Sequence, residues 1–176
     1  CIMLKEQKII SDEEAKIIFK NLNEIENEFD FENLEYNEKY EDLFFLIEKT
    51  LIDRIGVDTA GKLHTGRSRN DMEHTMFRME LRKCIILTIK DLFSLSEHLI
   101  KRSEKGTSEI IFLYTHGQPA QASTLAHFLS AVIEFCLRDI ERLTKALDLV
   151  NMCPMGAAAI TTSGFPLSRE RMAELL

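Results

Sequence analysis

One uninterrupted stretch, from Asp71 to Gly106, constrains the fold of this chain more than any other feature. It contains no proline and no internal glycine. Its apolar residues recur at helical spacing, which predicts a helix about 50 Å long. This stripe consists of Met72, Met76, Met79, Ile86, Phe93 and Ile100. A second long helix is predicted from Ala122 to Val150, with a stripe of Leu125, Leu129, Val132, Cys136, Ile140, Leu143 and Leu147.

Two helices of this length cannot bury their stripes on each other alone, so they predict a bundle completed by other helices. Those helices would come from another part of a longer protein or from other subunits. Strands are not indicated, because the sequence shows no sustained alternation and no Asn-Gly or Asp-Gly hairpin turn. The predicted fold class is therefore all-α.

The beginning of the chain predicts a smaller helical unit. Ser11 and Glu14 form a capping box, in which each side chain binds the backbone amide of the other residue at the start of a helix. A second helix is predicted over 40–56, where Gly56 ends it.

These helices give the expected domain organisation. A small N-terminal helical domain is predicted at 1–66, and the first part of a central helical bundle at 67–176. The chain does not begin with methionine, and it closes within a helix that starts at Ser168. We therefore expect it to be a piece of a longer protein.

The composition excludes several classes of function. A net charge of -7 argues against a nucleic-acid-binding protein, which usually carries a basic stripe. The four cysteines form no Cys-x-x-Cys pair, so free thiols are expected rather than disulfides or a zinc site. No segment matches a secretory signal, and the most apolar stretch, 122–137, is shorter than the roughly 20 residues of a membrane span. We expect a cytoplasmic protein that binds neither nucleic acid nor membrane.

The segment GKLHTGRSRND, residues 61–71, gathers hydrogen-bond donors in an otherwise acidic chain, and we name it the donor loop. Arg67 and Arg69 can each bind a carboxylate through two parallel hydrogen bonds, and Ser68 and Asn70 add neutral donors. Asp71 or Asn70 is expected to cap the long helix, whose free amides favour a small anion. The alternative is a solvated loop whose arginines pair with nearby surface acids.

The segment YTHGQPAQAST, residues 114–124, is predicted to join the two long helices, and we name it the Thr-His loop. Thr115 and His116 are adjacent, and a histidine beside a hydroxyl group can transfer protons near neutral pH. Alternatively, His116 is an ordinary polar residue and Gln121 caps the next helix. His127, inside the apolar helix, is expected to be a satisfied core residue.

The segment 151–170 is rich in Gly, Ala, Thr and Ser, and we name it the small-residue segment. Such residues permit close backbone approach and supply hydroxyl groups. Neither a GxGxxG motif nor a P-loop lysine is present, so a tightly packed crossover between helices is favoured over a phosphate site.

The order and spacing of these segments resemble the argininosuccinate lyase branch of the fumarate lyase (aspartase/fumarase) superfamily. The resemblance is carried by GKLHTGRSRND, YTHGQPAQ, ERLTKALDLVNMCPMGAAAITTSGFP and RERMAELL, and more loosely by the region before them. It implies a helical bundle of the fumarase/aspartase type and a reversible β-elimination that releases fumarate and an amine. It also implies a homotetramer whose active sites are shared between subunits, with no metal or organic cofactor.

The resemblance also assigns roles to single residues. Arg69 and Asn70, with Ser68 beside them, would bind the carboxylates of a succinate. Thr115 would bind the substrate too, and His116 matches the histidine that serves in proton transfer. The base in this family is usually a serine on a loop of pattern GSSxMPxKxNP, and these 176 residues do not contain that pattern.

Three departures from the family leave the leaving amine open. Phe44 stands where the family usually has the histidine of EDIH, and Met72 where Gln is common. Pro119 and Ala122 of the Thr-His loop, and Leu113 just before it, replace Arg, Pro and Gly. Argininosuccinate is the expected substrate, and another N-substituted aspartate is the alternative. A non-catalytic helical scaffold is the third hypothesis.

Overall fold

A computed structural model describes residues 1–35 and 37–176. Most of these residues are helical, which confirms the all-α fold class, and one two-stranded hairpin is added. The chain forms two compact units. The first unit contains Cys1–Thr75 and Cys153–Leu176, and the second contains Met76–Met152. The domain boundary that we expect between residues 66 and 67 stays a prediction.

The first unit is built from short helices. They are α1 (Ile2–Glu6), α2 (Asp12–Glu28), α3 (Leu43–Ile55), α4 (Val57–Gly61), a 3-10 turn (Lys62–His64) and α7 (Arg169–Leu175). The capping box predicted for Ser11 and Glu14 is present at the start of α2. Asp42 caps α3, and Gly56, with φ 81°, ends it as predicted.

The core of the first unit joins both ends of its sequence. The side chains of Ile18, Ile25 and Leu51 are almost completely buried, and each such burial stabilises the fold by about 1.5–3 kcal/mol. Leu167 of the small-residue segment and Met172 of α7 pack against the same cluster. The small-residue segment is therefore anchored to the helices that precede the donor loop.

The second unit contains most of α5 (Arg69–Lys105) and all of α6 (Leu125–Val150). The two helices lie side by side and antiparallel, because hydrogen bonds join them at both ends. Arg78 donates to the carbonyl oxygen of Leu149 at 2.9 Å, and Ser103 donates to that of Ala126 at 3.3 Å.

The face of α5 that is buried in the second unit differs from the predicted stripe. Its less exposed residues are Leu81, Ile85, Ile89, Leu92, Ser96 and Leu99. In the predicted stripe, Met72 is buried and Met79 is half-buried, whereas Met76, Ile86, Phe93 and Ile100 are exposed. Helix α5 thus carries two apolar faces, whereas the stripe predicted for α6 coincides with its less exposed residues. The exposed face is available to a further helix.

A hairpin replaces the predicted loop between the long helices, so the expectation of no strands was wrong here. Strand β1 (Ile110–Thr115) pairs antiparallel with β2 (Gln118–Thr124), with an irregularity between Leu113 and Tyr114. The two turn residues, His116 and Gly117, have φ of 51° and 74°. Two successive positive φ angles are typical of the type I′ turn that suits hairpin twist. Here His-Gly takes the place of Asn-Gly.

The start of α6 also differs from the prediction. The helix begins at Leu125, and its cap is Thr124, whose Oγ1 accepts the amide of His127 at 3.2 Å. Gln121 lies within β2. Across the described residues, the long helices all fall short of the length and apolar character needed to cross a membrane.

We predict an acid-sensitive contribution from Glu14. Hydrogen bonds, first from Lys62 and then from the Ser11 amide, lower the pKa of Glu14 from 4.5 to about 2. Because this pKa is depressed in the fold, the stabilisation is present above about pH 4.5 and is lost as the pH falls toward 2. Urea unfolding of Glu14→Gln from pH 5 to pH 2 should therefore show a flatter acid dependence than wild type.

The matched control is Glu13→Gln, which removes a neighbouring carboxylate that pairs with Lys16 on the surface. An acid dependence in Glu14→Gln as steep as in wild type would contradict the assignment.

Candidate functional site

Close packing at Gly66, in the middle of the donor loop, determines the path of the loop. It leaves α4, passes through the 3-10 turn and bends at Gly66, which has φ 66°. A β-carbon on Gly66 would lie 2.7 Å from Cδ1 of Leu167, so both the backbone angle and the close approach require glycine. The bend places Arg67, Ser68 and Arg69 at the start of α5.

The first turn of α5 is capped by Ser68 together with Asp71. Ser68 Oγ accepts the amide of Asn70 at 3.2 Å, and Asp71 Oδ1 accepts the amide of Ser68 at 2.9 Å. The expectation that Asn70 or Asp71 caps the helix was wrong, because α5 begins at Arg69 and Ser68 is the capping residue. Asp71 lies within the first turn and binds back to the Ser68 amide.

The Asp71 carboxylate has a second task. Its Oδ2 accepts the amides of Gly156 at 3.0 Å and Ala158 at 2.8 Å, and the residue is only 3% exposed. One buried carboxylate thus holds both the donor loop and the small-residue segment. A carboxylate with three amide donors is well satisfied, which permits its burial.

The donor loop and the small-residue segment line an open cleft of about 610 Å³. On one side lie Arg67, Ser68 and Arg69, with His64 and Phe45 beside them. The opposite lining runs through residues 158–162 of the small-residue segment. Ala158 and Thr162 there adopt positive φ angles of 57° and 67°. Such angles are uncommon for residues other than glycine and are often found at binding sites.

Arg69 is already paired in this structure. Its guanidinium contacts Asp42, Glu73 at 2.7 Å and Glu41 at 3.5 Å. Its Cζ also lies 5.1 Å from the centre of the Phe45 ring. Hydrogen bonding to Glu73 and the three negative charges raise the pKa of Arg69. The sequence also allows a second interpretation of the donor loop, in which its arginines pair with nearby surface acids. For Arg69, the structure shows this pairing.

Arg67 behaves differently. Its Nε is buried and has no hydrogen-bond partner among the described residues. Burial is the main cause of a lowered pKa, which the charges of Glu48 and Asp71 partly offset. Phe44, which departs from the family pattern, lies beside this group, with Cζ of Arg67 at 5.6 Å from its ring centre.

Ser68 and Asn70 interact with each other. Asn70 Nδ2 donates to Ser68 Oγ at 3.1 Å, and Asn70 is exposed. The structure therefore brings together three of the predicted site residues, Ser68, Arg69 and Asn70, at one helix start.

Thr115 and His116 belong to the second unit, so they lie in a different compact part of the chain. Thr115 pairs with Gln118 at the end of the hairpin, and both Thr115 and His116 are exposed. Among the described residues, no hydrogen bond holds the His116 ring.

His127 was expected in the core, and this expectation was wrong. It is exposed, and its Nδ1 lies 2.7 Å from Ser123 Oγ. Its position in the first turn of α6, before the buried part of the helix begins, explains the difference.

No cluster of three or more His, Cys, Asp or Glu side chains suited to a metal ion occurs in residues 1–35 and 37–176. The four cysteines are free thiols in this structure.

The sequence did not reveal the roles of two residues that shape the site, Asp71 and Arg67. The Ser-x-x-Asp spacing at 68–71 is a usable signal for the cap, but nothing local indicates the bonds from Asp71 to a segment 85 residues away. Arg67 was grouped with Arg69, and the sequence offers no sign that only Arg69 has carboxylate partners.

Comparison with known proteins gives a consistent picture. A family model described as a lyase matches residues 3–176. Argininosuccinate lyase 2 of Agrobacterium fabrum is 50% identical over 175 residues, which are 99% of this chain and 35% of that protein. The argininosuccinate lyase of Methanosarcina acetivorans is 42% identical over 175 residues, with the same coverage of 99% and 35%.

A solved structure gives the same result for the fold. An EDDS lyase variant with bound fumarate superposes with a TM-score of 0.89 at 31% identity, covering 99% of this chain and 34% of that one. The chain thus spans about a third of the length of the relatives it matches. These matches confirm the resemblance that the donor loop and the Thr-His loop predict.

We predict that Asp71→Asn destabilises the first unit. An asparagine directs an NH₂ group toward amides that need acceptors, so the protein should lose about 2–3 kcal/mol of unfolding free energy. Urea unfolding measures this loss. Hydrogen exchange should show faster exchange at the amides of Gly156 and Ala158.

Asp53→Asn is the matched control, because Asp53 is an exposed aspartate paired with Lys49 at 2.6 Å. It should change stability little, since exposed ion pairs contribute little. Unchanged protection at Gly156 and Ala158 in Asp71→Asn would refute the role given to this carboxylate.

Proposed function

Because this chain belongs to the lyase family whose model it matches over residues 3–176, we propose that the whole protein is a carbon–nitrogen lyase of the argininosuccinate lyase type. It cleaves argininosuccinate reversibly to fumarate and arginine, an amidine-lyase reaction, and serves arginine biosynthesis in the cytoplasm. One observation carries the proposal. The donor loop forms the start of a long helix beside an open cleft, in a chain that is 50% identical to an argininosuccinate lyase.

The chemistry explains why such a loop is needed. A base removes the proton next to a carboxylate, and the resulting carbanion moves its charge onto that carboxylate as a dianion. Donors already aimed at those oxygens lower the barrier, by about 3–4 kcal/mol for a well-placed one. The start of α5 offers free amides as well as polar side chains, which is a favourable place for negative charge.

In this proposal Arg69 and Asn70 bind the substrate carboxylates, and Ser68 assists them. The acids around Arg69 do not prevent this. Glu41 and Glu73 are largely exposed, at 74% and 53% of their side-chain surface, and exposed ion pairs are weak. A substrate carboxylate that reaches Arg69 can replace one of them at small cost.

Thr115 and His116 complete the site, Thr115 by binding substrate and His116 by transferring a proton. The family's base is a serine on the GSSxMPxKxNP loop, and these 176 residues contain no such pattern. We infer that the 176 residues alone do not catalyse the elimination.

A homotetramer with shared active sites fits the exposed apolar surface of the second unit. Helix α5 leaves Met76, Ile86, Phe93 and Ile100 exposed, and α6 leaves Phe128 and Phe135 exposed. Exposed apolar stripes of this size mark helix–helix interfaces. In an assembly of this kind, the Thr-His loop of one subunit would serve the donor loop of another.

A second candidate is a lyase for a different N-substituted aspartate. It is favoured by the similarity to the EDDS lyase structure and by the departures at Phe44 and in the Thr-His loop. The lower identity of that relative, 31% against 50%, makes it the runner-up. Incubating the whole protein with fumarate and a panel of amines separates the two, since faster addition of an amine other than arginine would favour the second.

We predict that His116→Ala and Arg69→Ala both abolish fumarate release by the whole protein. Loss of proton transfer at His116 should reduce kcat by about 10²–10⁴-fold. The assay follows the ultraviolet absorbance of fumarate formed from argininosuccinate.

His98→Ala is the control, because His98 is an exposed residue of α5 whose ring interacts with the Ser94 carbonyl oxygen at 2.7 Å. This variant should keep wild-type activity. Full activity in both site variants would refute the proposed residues.

A further inference from the structure

Arg67 is the one cation of the cleft whose charge is not met by a hydrogen-bonded carboxylate within the described residues. Three other arginines of the first unit have such partners. Arg54 binds Glu28, Arg69 binds Glu73, and Arg171 binds Glu6 at 2.7 Å. Arg67 instead has a buried Nε without a partner.

The carboxylates nearest Arg67 are occupied elsewhere. Glu48 interacts with Nδ1 of His64 at 3.2 Å. Asp71 accepts three backbone amides, from Ser68, Gly156 and Ala158. Each of these acids attracts Arg67 only through space. Among the described residues, neither acid accepts a hydrogen bond from the Arg67 guanidinium, and its Nε has no acceptor.

Leaving such a group partly buried and unpaired costs free energy. Charged side chains away from water are normally paired, and a buried nitrogen without an acceptor calls for an explanation. The ring of Phe44, 5.6 Å from Cζ of Arg67, compensates only in part. Because the Nε itself is buried, an anion that enters the cleft would bind the terminal nitrogens of the guanidinium, and Arg67 is part of the cleft wall.

We propose that Arg67 is a carboxylate-binding residue of this cleft, and that it takes one carboxylate of a four-carbon diacid while Arg69 and Asn70 take the other. Arg67 and Arg69 flank Ser68, and all three line the same cleft. Arg69 must release an acid in order to bind, whereas Arg67 has no acid to release. Arg67 therefore provides the charge that is free before the diacid arrives. This inference depends on the proposed function, because it names a further residue of that site.

The test measures fumarate binding to the whole protein by isothermal titration calorimetry, with thermal unfolding recorded in parallel. Arg67→Gln keeps much of the side-chain length but removes the charge and the planar fork. It should weaken fumarate binding by about 10–100-fold, the range expected for losing charge-assisted hydrogen bonds. Arg67→Lys retains the charge without the fork and should show an intermediate loss.

Arg54→Gln is the matched control. It removes an arginine of the same unit that pairs with Glu28 and does not line the cleft. This variant should lower Tm and leave the Kd for fumarate within about twofold. Compared with Arg54→Gln, Arg67→Gln should change the Kd for fumarate more and the Tm of the ligand-free protein less.

The outcomes separate the inference from the proposed function. Wild-type protein that binds neither fumarate nor succinate would overturn both. Wild-type binding with an unchanged Kd in Arg67→Gln, whatever its Tm, would overturn the inference alone. If Arg67→Gln does not fold, Arg67→Lys provides the test. Wild-type affinity for fumarate in that variant would overturn a contact in which the guanidinium forms two hydrogen bonds to a carboxylate.

Discussion

The Asp71 carboxylate is the interaction on which the candidate site depends. It binds the amide of Ser68 on one side and the amides of Gly156 and Ala158 on the other. The donor loop and the small-residue segment are far apart in sequence, and this group joins them in addition to the packing of Leu167 against Gly66. A buried charge would normally be costly. Three amide donors offset that cost, and the segments that line the cleft are held together by hydrogen bonds.

The two arginines of the donor loop differ in burial and in ion pairing, although they are only two residues apart. Arg69 lies among Asp42, Glu41 and Glu73 and keeps its charge easily. Arg67 is further from water, and burial lowers its pKa. Three carboxylates surround Arg69, so they more than offset its charge. Arg67 adds a positive charge that no hydrogen-bonded carboxylate offsets among the described residues, and the ring of Phe44 lies beside it.

Much of the helical framework could be predicted from sequence, because caps and apolar spacing are local signals. Ser11, Gly56 and Ser168 mark helix ends correctly. The hairpin was missed because a histidine takes the left-handed position that Asn normally signals. The buried face of α5 was misassigned because that helix has two apolar stripes, and one sequence does not say which one faces α6. The bonds from Asp71 to residues 156 and 158 are set by tertiary structure, which local patterns do not encode.

The position of His116 constrains how the proposed chemistry can work. Its backbone is fixed by a two-residue turn between paired strands, at a φ of 51° that non-glycine residues seldom adopt. Its ring, in contrast, has no hydrogen-bonded neighbour within the described residues. A histidine that transfers protons needs a partner that sets which nitrogen carries the proton. That partner must therefore come from outside the hairpin. This requirement, like the exposed second face of α5, is met if the working site forms only when several chains assemble.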